Sequence, residues 1–164
     1  MKKITISNNI LFLAIPFMFG LLFCNIANAE SANFYLNQSI NEKKGIIEVS
    51  LNVNSSSIVN AGQSTINFNN KDLEIVGIEY YNNSIFNLWM KSPRYSNSKG
   101  YIYFAGGSTD GFVGKGELFT MKFKIKNQEI KTTELVFNKS LILAADGKGT
   151  NILSDSNKEN IYLN

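Results

Sequence analysis

The residues whose types and spacing come nearest to a reactive loop lie in LILAADGKGTNIL, 141–153. Its GKGT core is reminiscent of a phosphate-binding loop. Such a loop needs Gly, four residues, then Gly-Lys-Ser/Thr between a strand and a helix. Counting back from Gly147-Lys148, the first glycine falls on Ile142; Gly149 stands where the hydroxyl residue belongs, and no helical pattern follows. A calcium loop would need oxygens at alternating positions and a closing glutamate. Here Asp146 is the one carboxylate, helped only by Thr150 or Asn151. The stretch reads instead as a β-turn, with Asp146 supplying a side-chain bond and Gly147 a positive φ. No metal is expected.

Other routes to catalysis close quickly. The chain has no histidine and one cysteine, Cys24, so neither Ser-His-Asp nor Cys-His chemistry is open to it. The commonest zinc ligands are missing as well. Paired carboxylates of the glycosidase kind remain, but Glu48, Glu74, Glu117, Glu134 and their like fall on outward strand positions or in turns. No catalytic residue and no cofactor is expected, and the chain reads as a non-enzyme. The glycines of FAGGSTDGFVGKGE, 104–117, read as a long connection between two strands. Aromatics carry more promise. Tyr101 and Tyr103 face outward if Ile102 and Phe104 face inward, with Trp89 and Tyr95 nearby. Such rings combine wide contact area with a polar tip, suiting a sugar ring or a protein partner. Trp89 reads as a plug in the core.

The elements that must position these residues follow a leader. Lys2 and Lys3 precede an apolar run at 10–23, and Ala27-Asn28-Ala29 supplies small residues for cleavage after Ala29. This is the pattern of a secretory signal peptide, 1–29. The run is shorter than the roughly 20 residues that cross a bilayer, so contact with a membrane is expected only through this transient leader. Cys24 leaves with it. The leader's two lysines reduce the 16 basic residues to 14, against 13 acidic ones. That near-balance lacks the basic excess of a nucleic-acid binder, and no nucleic-acid partner is expected.

Beyond the leader the pattern is period-two alternation. Ile47, Val49, Leu51 and Val53 share one face of GIIEVSLNVN. In AGQSTINFNN, Ile66 and Phe68 point inward while Gln63, Thr65 and Asn67 point outward. Phe119, Met121, Phe123 and Ile125 alternate with Thr120, Lys122, Lys124 and Lys126. ANFYLNQSI, TTELVFN and SLILAAD read as further strands, and the more apolar DLEIVGIEYY as a buried one. SIFNLWMKSPRY reads as an irregular crossover because of Pro93. Short strands with turn signals at this spacing predict an all-β, antiparallel sandwich. One domain is expected at 30–153, with 154–164 as a tail or the end of the last strand.

STINFNNKDLEIVGIE, SIFNLWMKSPRYSNSKGYIYFAGG, GFVGKGELFTMKFKIK and SLILAADGKGTNIL together resemble a cohesin domain, within the carbohydrate-binding-module superfamily, over about 32–153. The resemblance implies a jelly-roll β-sandwich of about nine strands that grips a partner with one flat sheet face. The family's aromatic-Asp-Pro turn reads Phe68-Asn69-Asn70 here. By family geometry the partner-binding candidates are Gln63, Thr65, Asn67, Tyr101 and Tyr103. The expected function is an exported, bacterial, extracellular or cell-surface recognition module. Its partner is a dockerin-like module or another surface protein. The alternatives are a polysaccharide ligand held by the tyrosines, and a structural or adhesive role in an extracellular assembly.

Overall fold

The computed structural model describes residues 30–41, 45–154 and 158–163; the leader at 1–29 lies outside them. The described residues form seven strands: β1 (Ala32–Asn41), β2 (Ile46–Phe68), β3 (Leu73–Glu79), β4 (Leu88–Ser96), β5 (Tyr101–Ile125), β6 (Thr132–Ala144) and β7 (Lys158–Tyr162). All pair antiparallel. Two of them are far longer than a strand usually runs, because β2 and β5 each cross from one layer to the other. The first layer is β1, β2 at 46–55, β5 at 114–124 and β3. The second is β4, β5 at 101–112, β2 at 59–68, β6 and β7. Counted by layer, four segments face five, which is the nine-stranded jelly-roll sandwich the resemblance implied.

The crossings have local causes. In β2 the pairing register shifts between Ser55 and Val59, where the buried Ser55 hydroxyl donates to the Ser57 carbonyl at 2.6 Å. In β5, Gly111 and Gly114 adopt φ of 72° and 96°, a conformation open to glycine and costly for other residues. The glycine-rich stretch expected as a loop is therefore a bend within one continuous strand. Period-two reading locates its two arms but not the join, since glycine has no side chain to alternate.

The two layers meet through phenylalanines. Phe34 of the first layer lies 5.8 Å from Phe104 and 6.1 Å from Phe137 of the second, and Phe68 lies 5.6 Å from Phe123 across the same gap. Phe34, Phe104, Phe119 and Phe123 are fully buried. Burial of each such side chain is worth about 1.5–3 kcal/mol, and edge-to-face pairs add about 0.5–1.5 kcal/mol. Ile47, Val49, Leu51, Val53, Ile66, Met121 and Phe123 are all interior, as their alternation requires.

Three further expectations need correction. The segment read as an irregular crossover is β4, an edge strand that accommodates Pro93 through register shifts between Trp89 and Lys91 and between Lys91 and Arg94. TTELVFN and SLILAAD are one strand, β6, kinked where Lys139 takes a φ of 53°. That kink turns Ser140 inward to bond the buried Ser64 at 2.8 Å. β3, read as a buried strand, is an edge strand with Val76 exposed.

Candidate recognition face

Alternation along β2 and β5 fixes which side chains leave the sandwich. Ile66 and Ser64 point into the core, so Gln63, Thr65 and Asn67 emerge on the outer face of the second layer. On β5, Ile102 and Phe104 are wholly buried and Tyr101 and Tyr103 emerge half-buried. Register then aligns the two sets: Asn67 opposes Tyr101, Thr65 opposes Tyr103, and Gln63 opposes Ala105. Directly opposed side chains in antiparallel strands stand about 4.5–5.5 Å apart at Cβ. The five candidate residues thus form one continuous patch at the centre of a five-segment layer.

Neighbouring strands extend the patch with residues the sequence reading did not select. On β4, Arg94 opposes Tyr103, Ser96 opposes Tyr101 and Lys91 opposes Ala105. On β6, Val136 opposes Asn67, Asn138 opposes Thr65 and Leu141 opposes Gln63. Asn138 donates to the Asn67 side-chain oxygen at 2.8 Å, and Gln63 donates to the Lys139 carbonyl at 3.4 Å. These bonds fix two of the candidate amides in place. The alternation of Leu141 and Leu143 with Ile142 and Ala144 was the available signal for β6. On β4 the two register shifts erase any such signal.

Trp89 does not join the patch. It opposes Gly106 and turns inward, with ring centroids 5.7 Å from Phe86, 5.4 Å from Tyr80 and 6.5 Å from Phe119. Gly106 leaves the room for it, since a Cβ there would stand 2.7 Å from Trp89 Cε3. Tyr95 opposes the inward Ile102 and so leaves the Tyr101–Tyr103 row.

The loop at 145–150 is a turn. The Asp146 carboxylate accepts from the Lys148 N–H at 2.9 Å and from the Thr150 hydroxyl, while Gly147 takes a φ of 69°. The Thr150 bond first, and then the Lys148 N–H, hold the Asp146 pKa below its ordinary value. Both carboxylate oxygens are engaged by the loop itself. The departure at Phe68-Asn69-Asn70 is also absorbed locally. Asn69 donates to the buried Asp72 carboxylate at 2.5 Å and accepts from the Lys71 N–H at 3.1 Å, and Asn127 donates to Asp72 at 3.3 Å.

A separate cleft of about 500 Å³ opens at one end of the first layer, lined by residues including Glu48, Glu79, Tyr80, Tyr81, Glu117 and Thr120. Lys122 spans two of its carboxylates, at 2.5 Å from Glu79 and 3.8 Å from Glu48. The Glu79 hydrogen bond raises the Lys122 pKa above its ordinary value.

A profile of the cohesin domain matches residues 36–161. The chain belongs to the cohesin domain family. No curated protein sequence matches it. Solved cohesins share its fold at low identity. One is the cohesin module of a family 33 glycoside hydrolase from Clostridium perfringens, at TM-score 0.60 and 15% identity, covering 81% of this chain and 96% of that one. A second is the seventh ScaB type I cohesin of Pseudobacteroides cellulosolvens, at TM-score 0.64 and 18% identity, covering 80% and 91%. A third is the cohesin of a Clostridium thermocellum cohesin–dockerin complex, Coh-OlpA with Doc918, at TM-score 0.62 and 12% identity, covering 80% and 98%. Identities this low establish a shared cohesin fold. The face on which this cohesin binds is a matter for its own residues.

Proposed function

We propose that this cohesin is an exported, non-catalytic recognition module that binds a protein partner, a dockerin-like module or another surface protein, through the outer face of its second layer. One observation carries the reading: Gln63, Thr65, Asn67, Tyr101 and Tyr103 are brought edge to edge by the β2–β5 register at the centre of a paired, five-segment layer. A paired face of this kind offers side chains rather than free backbone groups, which suits a docked module. Two tyrosines at its centre match the aromatic anchors that dominate such contacts. The cohesin–dockerin complexes among the solved relatives support a protein partner. The leader supports export.

The test is a pull-down from the source organism's secreted fraction, with the wild-type protein and the Tyr101→Ala/Tyr103→Ala variant as paired baits. The proposal expects a protein retained by the first and lost from the second. Equal retention by both baits contradicts it.

A second reading, binding of a polysaccharide, draws on the cleft beside Tyr81, a side chain 80% exposed above carboxylates that can accept from sugar hydroxyls. Retention of the purified protein on insoluble polysaccharide, abolished by Tyr81→Ala, would favour it.

A further inference from the structure

The cleft at Tyr81 opens on the first layer, on the side of the sandwich away from Tyr101 and Tyr103. Its aromatic wall is held in place before any ligand arrives. The Tyr80 and Tyr81 rings lie 4.0 Å apart at an interplanar angle of 32°, and their hydroxyls are 2.5 Å apart. Tyr80 in turn sits edge-on to Trp89, at 5.4 Å. The Tyr81 ring is thus backed by Tyr80 while its side chain stays largely exposed. A ring fixed in this way offers contact area with little rotamer freedom left to lose.

The polar wall is fixed too. Register sets Glu48 opposite Lys122, and Ser50 and Glu79 on either side of Thr120. Lys122 lies between Glu79 and Glu48, at 2.5 and 3.8 Å from one oxygen of each. The Thr120 hydroxyl donates to Glu117 at 3.0 Å and stands 2.6 Å from the Ser50 hydroxyl. Each of the three carboxylates is therefore anchored by one oxygen. Among the described residues no donor reaches the other oxygen of any of them.

These features select a class of ligand. The wall is rich in fixed acceptors, and its apolar part is little more than the Tyr81 ring and Ile78. An occupant must bring paired hydroxyl donors and a patch of C–H surface for the negative face of the ring. A pyranose ring brings both. A peptide backbone offers one N–H per residue, too sparse for three carboxylates around a space of about 500 Å³. Three carboxylates against one lysine repel phosphate, sulfate and uronate groups. A cationic group finds its place taken, since Lys122 already fills the position between Glu48 and Glu79.

From this arrangement, and resting on the polysaccharide reading of the cleft, we infer that it takes short uncharged pyranose chains and rejects acidic and amine-bearing ones. Because the cleft and the Tyr101–Tyr103 face belong to opposite layers, a glycan and a protein partner can be held together.

NMR titration of the isotope-labelled protein tests this. The probes are short neutral oligomers of glucose, xylose, mannose and N-acetylglucosamine, beside oligogalacturonate and deacetylated chitosan oligomers. At least one neutral probe should move the amide signals of 78–83 and 117–122 and leave those of 63–67 and 101–103 in place. Oligogalacturonate and chitosan should bind about tenfold more weakly, or not at all. Tyr81→Ala should weaken binding of the neutral probe about tenfold, and Tyr81→Phe should retain it. Tyr101→Ala/Tyr103→Ala should bind it as wild type does. If no neutral probe moves the cleft signals, the inference is overturned, and the protein-partner reading, which rests on Tyr101 and Tyr103, is untouched. Stronger binding of oligogalacturonate or chitosan at the same signals would keep a sugar site at Tyr81 and overturn its preference for neutral chains. Neutral chains that move the signals of 101–103 instead would put the sugar on the partner face, overturning both the cleft site and joint occupancy.

Discussion

The Asn97 side chain completes the backbone bonding of Ile75. Its oxygen accepts from the Ile75 N–H at 2.8 Å and its amide donates to the Ile75 carbonyl at 2.9 Å. Asn97 lies in the turn between β4 and β5, in the second layer, and Ile75 lies on the edge strand β3 of the first. One side chain thus acts as a single-residue strand that pins the layers together. At another edge Gln38 of β1 does the same for Tyr162 of β7, accepting from its N–H at 3.0 Å and donating to its carbonyl. Both amides occupy backbone groups that would otherwise invite another chain.

Replacing Asn97 with alanine should leave two half-buried backbone groups of Ile75 unpaired. The expected loss is about 1–3 kcal/mol, read as a lower midpoint in urea unfolding with an unchanged slope. A variant as stable as wild type would mean that Asn97 has no such role.

Trp89 is the chain's one tryptophan, so its emission reports on the groove between Gly106 and the core. Gly106→Ala places a methyl 2.7 Å from the indole and 3.0 Å from the Leu88 carbonyl. Overpacking of this kind costs about 1–3 kcal/mol. The variant should unfold earlier, with Trp89 emission moved to longer wavelength. Because Leu88 and Met90 flank Trp89, the outer face should loosen with it.

The turn at Asp146 makes a pH prediction. Its pKa is lowered in the folded chain, so its contribution is complete above the ordinary aspartate range, near 3.9, and is lost as the pH falls through the folded value. NMR titration of the Asp146 carboxyl should give a midpoint below that of an exposed aspartate. Thr150→Val should raise it, since the Thr150 hydroxyl is the largest cause of the shift. Added calcium should leave the midpoint of thermal unfolding unmoved, as both carboxylate oxygens already accept bonds within the loop.

Much of this was legible in the sequence because period-two alternation reports which side chains are buried. Ile66 against Thr65 and Phe104 against Tyr103 fix both the core and the outward set, so the five candidate residues fall on one face as expected. Alternation fails where the chain breaks its own period. The bend at Gly111 and Gly114 concealed the continuity of β5. Pro93 and the shift at Met90 concealed β4, and with it Lys91 and Arg94 beside the tyrosines. The kink at Lys139 split β6 in two. Asn97 and Gln38 carried no signal at all, because their partners, Ile75 and Tyr162, are distant in sequence and meet them only once the layers stack.

The central claim is that partners bind the outer face of the second layer, and calorimetric titration of a captured partner against two variants tests it most directly. Tyr101→Ala/Tyr103→Ala should weaken binding by about 1 kcal/mol or more, or roughly fivefold, while Tyr81→Ala in the first-layer cleft, at a side chain 80% exposed, should leave it unchanged. Undiminished affinity in the first variant, with loss in the second, would contradict the account.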